Sequence, residues 1–174
     1  DAPQFHPPSG IAPRVVVENA SFGWYKNGNT HLNDINITVY PEKTSVIIGS
    51  VGSGKSSLMS ALLGEMYKKQ GLVAVRGTVA YCPQTAWIMN STLRDNILFG
   101  KPYDENWYNQ VIYACGLTQD INMLPGGDLV EIGEKGINLS GGQKQRVSLA
   151  RAVYSDADVY LLDDVLSAVD AHVG

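Results

Sequence analysis

Basic residues are too few here to build a polyanion-binding face: 13 Lys and Arg stand against 17 Asp and Glu, a formal net charge of -4. A domain that grips duplex nucleic acid ordinarily shows a basic patch, so nucleic acid is not an expected partner. Cysteine is scarce as well. Cys82 and Cys115 sit in no metal-like spacing, and the expectation is two reduced thiols rather than a disulfide frame or a zinc site. No apolar run approaches the roughly 20 residues that cross a bilayer, and no charged-then-apolar leader opens the chain. The span is therefore expected to be soluble as it stands, although it could be cut from a membrane protein. Internal repeats and low-complexity tracts are also missing. What remains is an ordinary globular composition, 44% apolar and 17% charged, in a chain of 174 residues: one domain or part of one, long enough for a real core.

The stretch Gly49-Ser50-Val51-Gly52-Ser53-Gly54-Lys55-Ser56-Ser57 organises what is present. Two glycines five positions apart, followed by Lys55 and Ser56, fit the pattern of a phosphate-binding loop. Lys43 to Ile48 before it reads as a buried strand, and Leu58, Ala61, Leu62 and Met66 after it recur at helical spacing. Strand, glycine loop and amphipathic helix thus come in the order the pattern needs. Glycines let the backbone wrap a phosphate, while the helix N-terminus adds free N–H groups and the positive end of a dipole. Lys55 would reach the outer phosphates as a point charge, and Ser56 would offer its hydroxyl to Mg2+.

Residues 1–13 carry four prolines and read as an extended linker, with the folded part starting near Arg14. Val15 begins a β-branched run through Phe22 and Trp24, Asn27-Gly28-Asn29 supplies a turn, and Ile35, Ile37 and Val39 alternate with polar residues as a second strand. Leu72 to Val75 and Thr78 to Tyr81 are two further short runs, hinged at Arg76-Gly77. From about residue 86 to 156 the pattern turns helical, as expected of an inserted helical subdomain. Thr92 and Asp104 are placed to cap helices, and Gly100 could stop the first of them. Trp107, Tyr108, Val111, Ile112 and Cys115 form one apolar face, read as core rather than as a ligand box.

Two further motifs bear on chemistry. The apolar run Val159 to Leu162 ends in Asp163-Asp164, and a carboxylate at the carboxyl end of a strand can lie beside a phosphate loop. Asp163 could hold Mg2+ there, through a water. Leu139-Ser140-Gly141-Gly142-Gln143 opens a helix expected over residues 143–154. Ser140 and Gln143 are spaced as reciprocal capping partners. Capping does not account for two glycines at a helix start, where each costs about 1 kcal/mol relative to alanine. They make sense if another molecule's phosphate approaches that backbone closely.

Taken together, the chain from Arg14 onward resembles the nucleotide-binding domain of an ATP-binding cassette (ABC) protein. Leu139 to Gln143 is similar to that family's signature. The resemblance implies that Gln84 is the Q-loop glutamine, touching Mg2+ and relaying nucleotide state, and that Ser167-Ala168-Val169-Asp170 is the D-loop at a dimer interface. It also implies that Glu131 to Gly136 meets the coupling helices of transmembrane domains. Phe22-Gly23-Trp24, Ala86-Trp87-Ile88 and Asn96 to Gly100 resemble more closely the first such domain of subfamily C, the multidrug-resistance-associated transporters. Trp24 then takes the place of the aromatic that stacks on adenine, with Tyr25 as its rival.

The resemblance implies an α/β fold: a P-loop NTPase core with an antiparallel β subdomain and an inserted helical subdomain, truncated at the C-terminus. It implies ATP and Mg2+ as cofactors, and a second nucleotide-binding domain of the same transporter as partner. Glycine loop, Trp24, Gln84, Asp163 and Asp164 would form one site, while Ser140, Gly141, Gly142 and Gln143 would complete the partner's. One departure stands out. Most of the wider family has Glu where this chain has Asp164, and the shorter arm withdraws the carboxylate by about 1.5 Å. Subfamily C first domains share this, which implies a site that holds ATP and hydrolyses it slowly. His172 follows the D-loop too closely to be the family's switch histidine, and His6 and His31 have no catalytic neighbours. The leading expectation is an ATPase segment of an exporter of organic anions, conjugates or drugs. The alternatives are a nucleotide sensor of a channel and, lower, a soluble cassette ATPase.

Overall fold

The computed structural model describes residues 10–134 and 136–165. They divide into two compact units, one reaching to Thr78 and one beginning at Val79. The architecture is mixed α/β.

In the first unit, β1 (Val15–Gly23) is the centre of an antiparallel sheet, flanked by β2 (Leu32–Val39) and β3 (Tyr67–Val75). Val15 faces Val39 on one side and Val75 on the other. With a neighbour on each edge, β1 buries Val15, Val16, Val17, Ala20 and Phe22. Register slips on both sides of Asn19, whose φ is +46°. Such a bulge bends the strand and strengthens its twist. Residues 26–27 make the expected turn into β2, whose alternation of half-buried and exposed positions matches the sequence pattern. Lys69 fixes that turn by donating to the carbonyls of Tyr25 at 2.7 Å and Gly28 at 3.2 Å.

Helix α1 (Lys55–Leu62) follows the glycine loop and stops early: Gly64 takes a left-handed φ of +82°, so Met66 is buried beyond the helix rather than on it. A larger departure concerns the expected buried strand from Lys43 to Ile48. Those residues form no strand, and Val46 and Ile48 are 78% and 91% exposed. β-branched residues fit a pleated surface, but a strand exists only where a neighbour accepts its backbone groups. Among the described residues no strand pairs with this segment.

The second unit is built around α5 (Gly141–Tyr154), two residues longer at its start than the sequence pattern suggested. Packed on it are α2 (Leu93–Leu98) and α3 (Glu105–Ala114), with α4 (Thr118–Met123) and a single 3-10 turn (Gly127–Leu129) beyond. Leu93, Ile97, Tyr108, Val111, Ile112, Val147 and Tyr154 share one core. The caps fall where expected: Thr92 accepts from the Asp95 N–H, and Asp104 from that of Trp107. Gly100 lies just past α2, preceded by Phe99, also left-handed at φ +45°. The strand β4 (Val79–Cys82) pairs in parallel with β7 (Val159–Leu162). Glu131 and Ile132 form the two-residue strand β6 against β5 (Ser91–Thr92). No helix among the described residues is long and apolar enough to cross a membrane.

Candidate functional site

The glycine loop of the first unit holds a shape that other residues would resist. Gly52 and Gly54 have φ of +80° and +97°, the left-handed region that strains residues with a Cβ. At Gly49 a Cβ would lie 2.6 Å from the Ser53 hydroxyl, which would have to turn away to admit it. Ser53 N–H closes the loop on the Ser50 carbonyl at 3.2 Å. Gly54 is the N-cap of α1 and brings no side-chain acceptor, and the first turn carries no acidic residue. The orphan amides at that helix start are the donors an anion would use. Lys55 arches back, its Nζ donating to the carbonyls of Gly49 at 2.8 Å and Ser50 at 2.9 Å. Val51 is fully exposed at the tip, Ser56 is exposed and Ser57 half-buried. Trp24, just past the end of β1, is 39% exposed and Tyr25 73%.

In the second unit, the β4–β7 pair sets Cys82 opposite Leu162, so Gln84 and Asp163-Asp164 both leave at the carboxyl ends of parallel strands. The Asp163 N–H donates to the Cys82 carbonyl at 2.9 Å, extending the ladder by one bond. Asp163 is 6% exposed. Gln84 donates through Nε2 to Asp164 Oδ2 at 3.2 Å, and Asp164 sits at a left-handed φ of +51°. Aspartate tolerates that backbone better than most residues do.

Helix α5 begins with a complete capping box. Ser140 Oγ accepts from the Gln143 N–H at 3.2 Å, and Gln143 Oε1 accepts from the Ser140 N–H at 2.9 Å. The other end of that amide donates to Asp120 at 3.0 Å, and Asp120 also binds Arg146 at 2.7 Å. Gln143 is thus occupied within the chain, whereas Ser140 and Gly141 are exposed. A Cβ on Gly141 would meet nothing within 4 Å. Asp120 and Arg146 were not foreseen; no spacing in the sequence links an aspartate on α4 to a helix start twenty residues on.

Lys55 and Ser56 belong to the first unit, and Gln84, Asp163, Asp164 and the Ser140 to Gln143 helix start to the second. The expected D-loop, Ser167 to Asp170, and His172 lie outside the described residues. Among the described residues no cluster of His, Cys, Asp and Glu forms a preassembled metal cage.

Comparison with known proteins bears on the same motifs. The ABC transporter family model matches residues 32–167. The chain is 58% identical to ATP-binding cassette sub-family C member 2 of Mus musculus, over 92% of its own length and 10% of that protein's. It is 59% identical to ABC transporter C family member 3 of Dictyostelium discoideum, over 92% of this chain and 12% of the relative. Multidrug resistance protein mrp-7 of Caenorhabditis elegans is 60% identical, over 92% and 11% respectively. The chain spans about a tenth of the length of these relatives. With the family model covering the glycine loop, the acidic strand end and the capped helix between them, the chain belongs to the ABC transporter family.

Proposed function

We propose that this domain binds ATP on its glycine loop and lends the start of α5 to a second nucleotide held by a partner domain. The observation that carries the first half is the uncapped start of α1 behind a loop of left-handed glycines, with Lys55 at hand and no acidic residue in the first turn. These groups fit a polyphosphate: amides and an ammonium provide donors, and the left-handed Gly52 and Gly54 give the loop a backbone path that other residues would strain. Ser56, Gln84 and Asp163 offer hydroxyl, amide and carboxylate oxygens, the donor type Mg2+ prefers. ATP supplies the phosphoanhydride whose hydrolysis drives the cycle. On binding, Lys55 would exchange its carbonyl partners for phosphate oxygens and Trp24 would cover the base, while Gln84 and Asp164 would be the groups to orient an attacking water. Because Asp164 is a carbon short of glutamate, the site holds nucleotide longer than it turns it over.

The second half rests on Ser140 and Gly141, exposed at a helix N-terminus whose glutamine partner is already committed to the cap. Gly142 and Gln143 shape that surface. The whole protein is read as an exporter of organic anions, conjugates or drugs, with this domain on the cytosolic face. Transmembrane coupling helices would contact the segment 131–136. The division of labour is tested in the full-length transporter by photolabelling each domain with azido-ATP. Lys55→Met should abolish labelling here. Ser140→Arg should leave labelling here intact while suppressing hydrolysis at the partner's nucleotide. Equal loss at both sites in the Ser140 variant would sink the assignment.

A further inference from the structure

Gln145 is 2% exposed on α5, surrounded by core. Its Nε2 donates to the Pro83 carbonyl at 3.0 Å and reaches the Cys82 sulfur at 3.7 Å. Cys82 in turn directs its thiol to Ser148 Oγ at 3.4 Å, one turn further along the same helix. A buried amide costs free energy unless it is bonded, and an apolar side chain of equal length would fill the space as well. What the amide adds is direction. Proline has no N–H, so its carbonyl is the one backbone hydrogen-bonding group that Pro83 itself offers.

The residue after that handle is Gln84, whose own amide donates to Asp164 at 3.2 Å. On the opposite side, the Asp163 N–H grips the Cys82 carbonyl at 2.9 Å. Residues 82–84 are therefore pinned between α5 and the acidic end of β7. We propose that Gln145 is a positioning residue, whose hydrogen bond to Pro83 sets the Gln84 amide against Asp164 and so ties α5 to the acidic strand end. Ser140 caps the same helix five residues earlier, about 7.5 Å along the axis at 1.5 Å per residue. A displacement of α5 imposed at Ser140 thereby reaches Gln84 through the Gln145–Pro83 bond, with the Cys82–Ser148 contact holding the preceding residue to the same helix. The inference rests on the nucleotide-binding reading above.

The test uses the full-length transporter, with azido-ATP photolabelling of this domain and a chase that follows how long nucleotide is retained. Gln145→Met keeps the length of the side chain and removes the donor. Affinity should stay within twofold of wild type while retention shortens at least threefold. Combined with Gln84→Ala, it should shorten retention no further than Gln84→Ala alone. Equal shortening in both backgrounds would mean that Gln145 acts through packing, and overturns the proposal, as does unchanged retention in the single variant. If the methionine variant does not reach the membrane, Gln145→Glu is read as a pH profile relative to wild type. A protonated carboxyl can donate to Pro83 and a carboxylate cannot, so retention should recover as pH falls, and a flat profile refutes the idea. Failure of the nucleotide-binding reading looks different, because the wild type itself would then not label.

Discussion

Replacing Gly141 with alanine separates folding from function at a single methyl group. Gly141 opens α5, has no left-handed φ, and offers a Cβ only open space within 4 Å. Nothing among the described residues requires glycine there. Alanine is favoured over glycine in a helix by up to about 1 kcal/mol, and a first-turn position realises roughly half or more of that. At about 2–4 °C per kcal/mol for a domain of this size, the melting temperature should rise by roughly 1–4 °C. If the phosphates of a partner's nucleotide pack on this backbone, the added methyl stands in their path. A reacting group displaced by about 1 Å can lose 10²-fold in rate. The expected outcome is an unchanged or higher melting temperature with ATP hydrolysis by the full-length transporter reduced at least tenfold. Wild-type hydrolysis would refute the reasoning, for then no ligand needs that space. Gly52→Ala is the contrast: it would force a residue with a Cβ into a left-handed φ of +80°, so loop geometry and nucleotide binding should weaken together.

Three other outcomes are expected. Asn96 is fully buried, accepting from the Met89 N–H and Arg151 and donating to the Met89 and Thr92 carbonyls. Asn96→Ala should cost about 3 kcal/mol, from several net bonds of about 1 kcal/mol each, and a denaturation midpoint that barely moves would dismiss this network as a stabiliser. Asp164→Glu should raise turnover at this domain's nucleotide and shorten its occlusion, by less than side-chain length alone suggests because of the left-handed backbone at that residue. Unchanged hydrolysis would count against the shortened-carboxylate account. Burial pushes the Cys115 thiol up to about 11 and raises that of Cys82 as well, so neither should react with iodoacetamide at pH 7.5 until the domain is denatured. Mass spectrometry of alkylated peptides would decide it.

The helices were legible wherever a side chain announces a boundary. Thr92, Asp104 and Ser140 each cap as their spacing indicated, because capping is decided within four residues. The strands were legible only in part. β1 and β2 follow their apolar pattern, while Tyr67 to Gln70 have no such pattern and join β3 through pairing with β1. Residues 43–48 show the converse, an apolar run with no ladder in the described structure. Candidate site residues could be proposed from motif spacing, but their side-chain partners could not. Gln143 turning to Asp120, Gln84 meeting Asp164 and Gln145 holding Pro83 are contacts between residues 23, 80 and 62 positions apart, which local pattern does not encode.

The two bonds from Lys55 to its own loop have a consequence for affinity. If nucleotide binds this loop as proposed, its entry is a substitution, in which phosphate oxygens displace the Gly49 and Ser50 carbonyls from one ammonium. The loop meets its ligand already folded, so little ordering entropy is spent at that moment. Affinity then reflects the difference between two sets of lysine partners rather than the full strength of either. Two carbonyls, once released, must find water or the incoming ligand's counter-ion, which makes occupancy responsive to what accompanies the phosphate as well as to the phosphate itself.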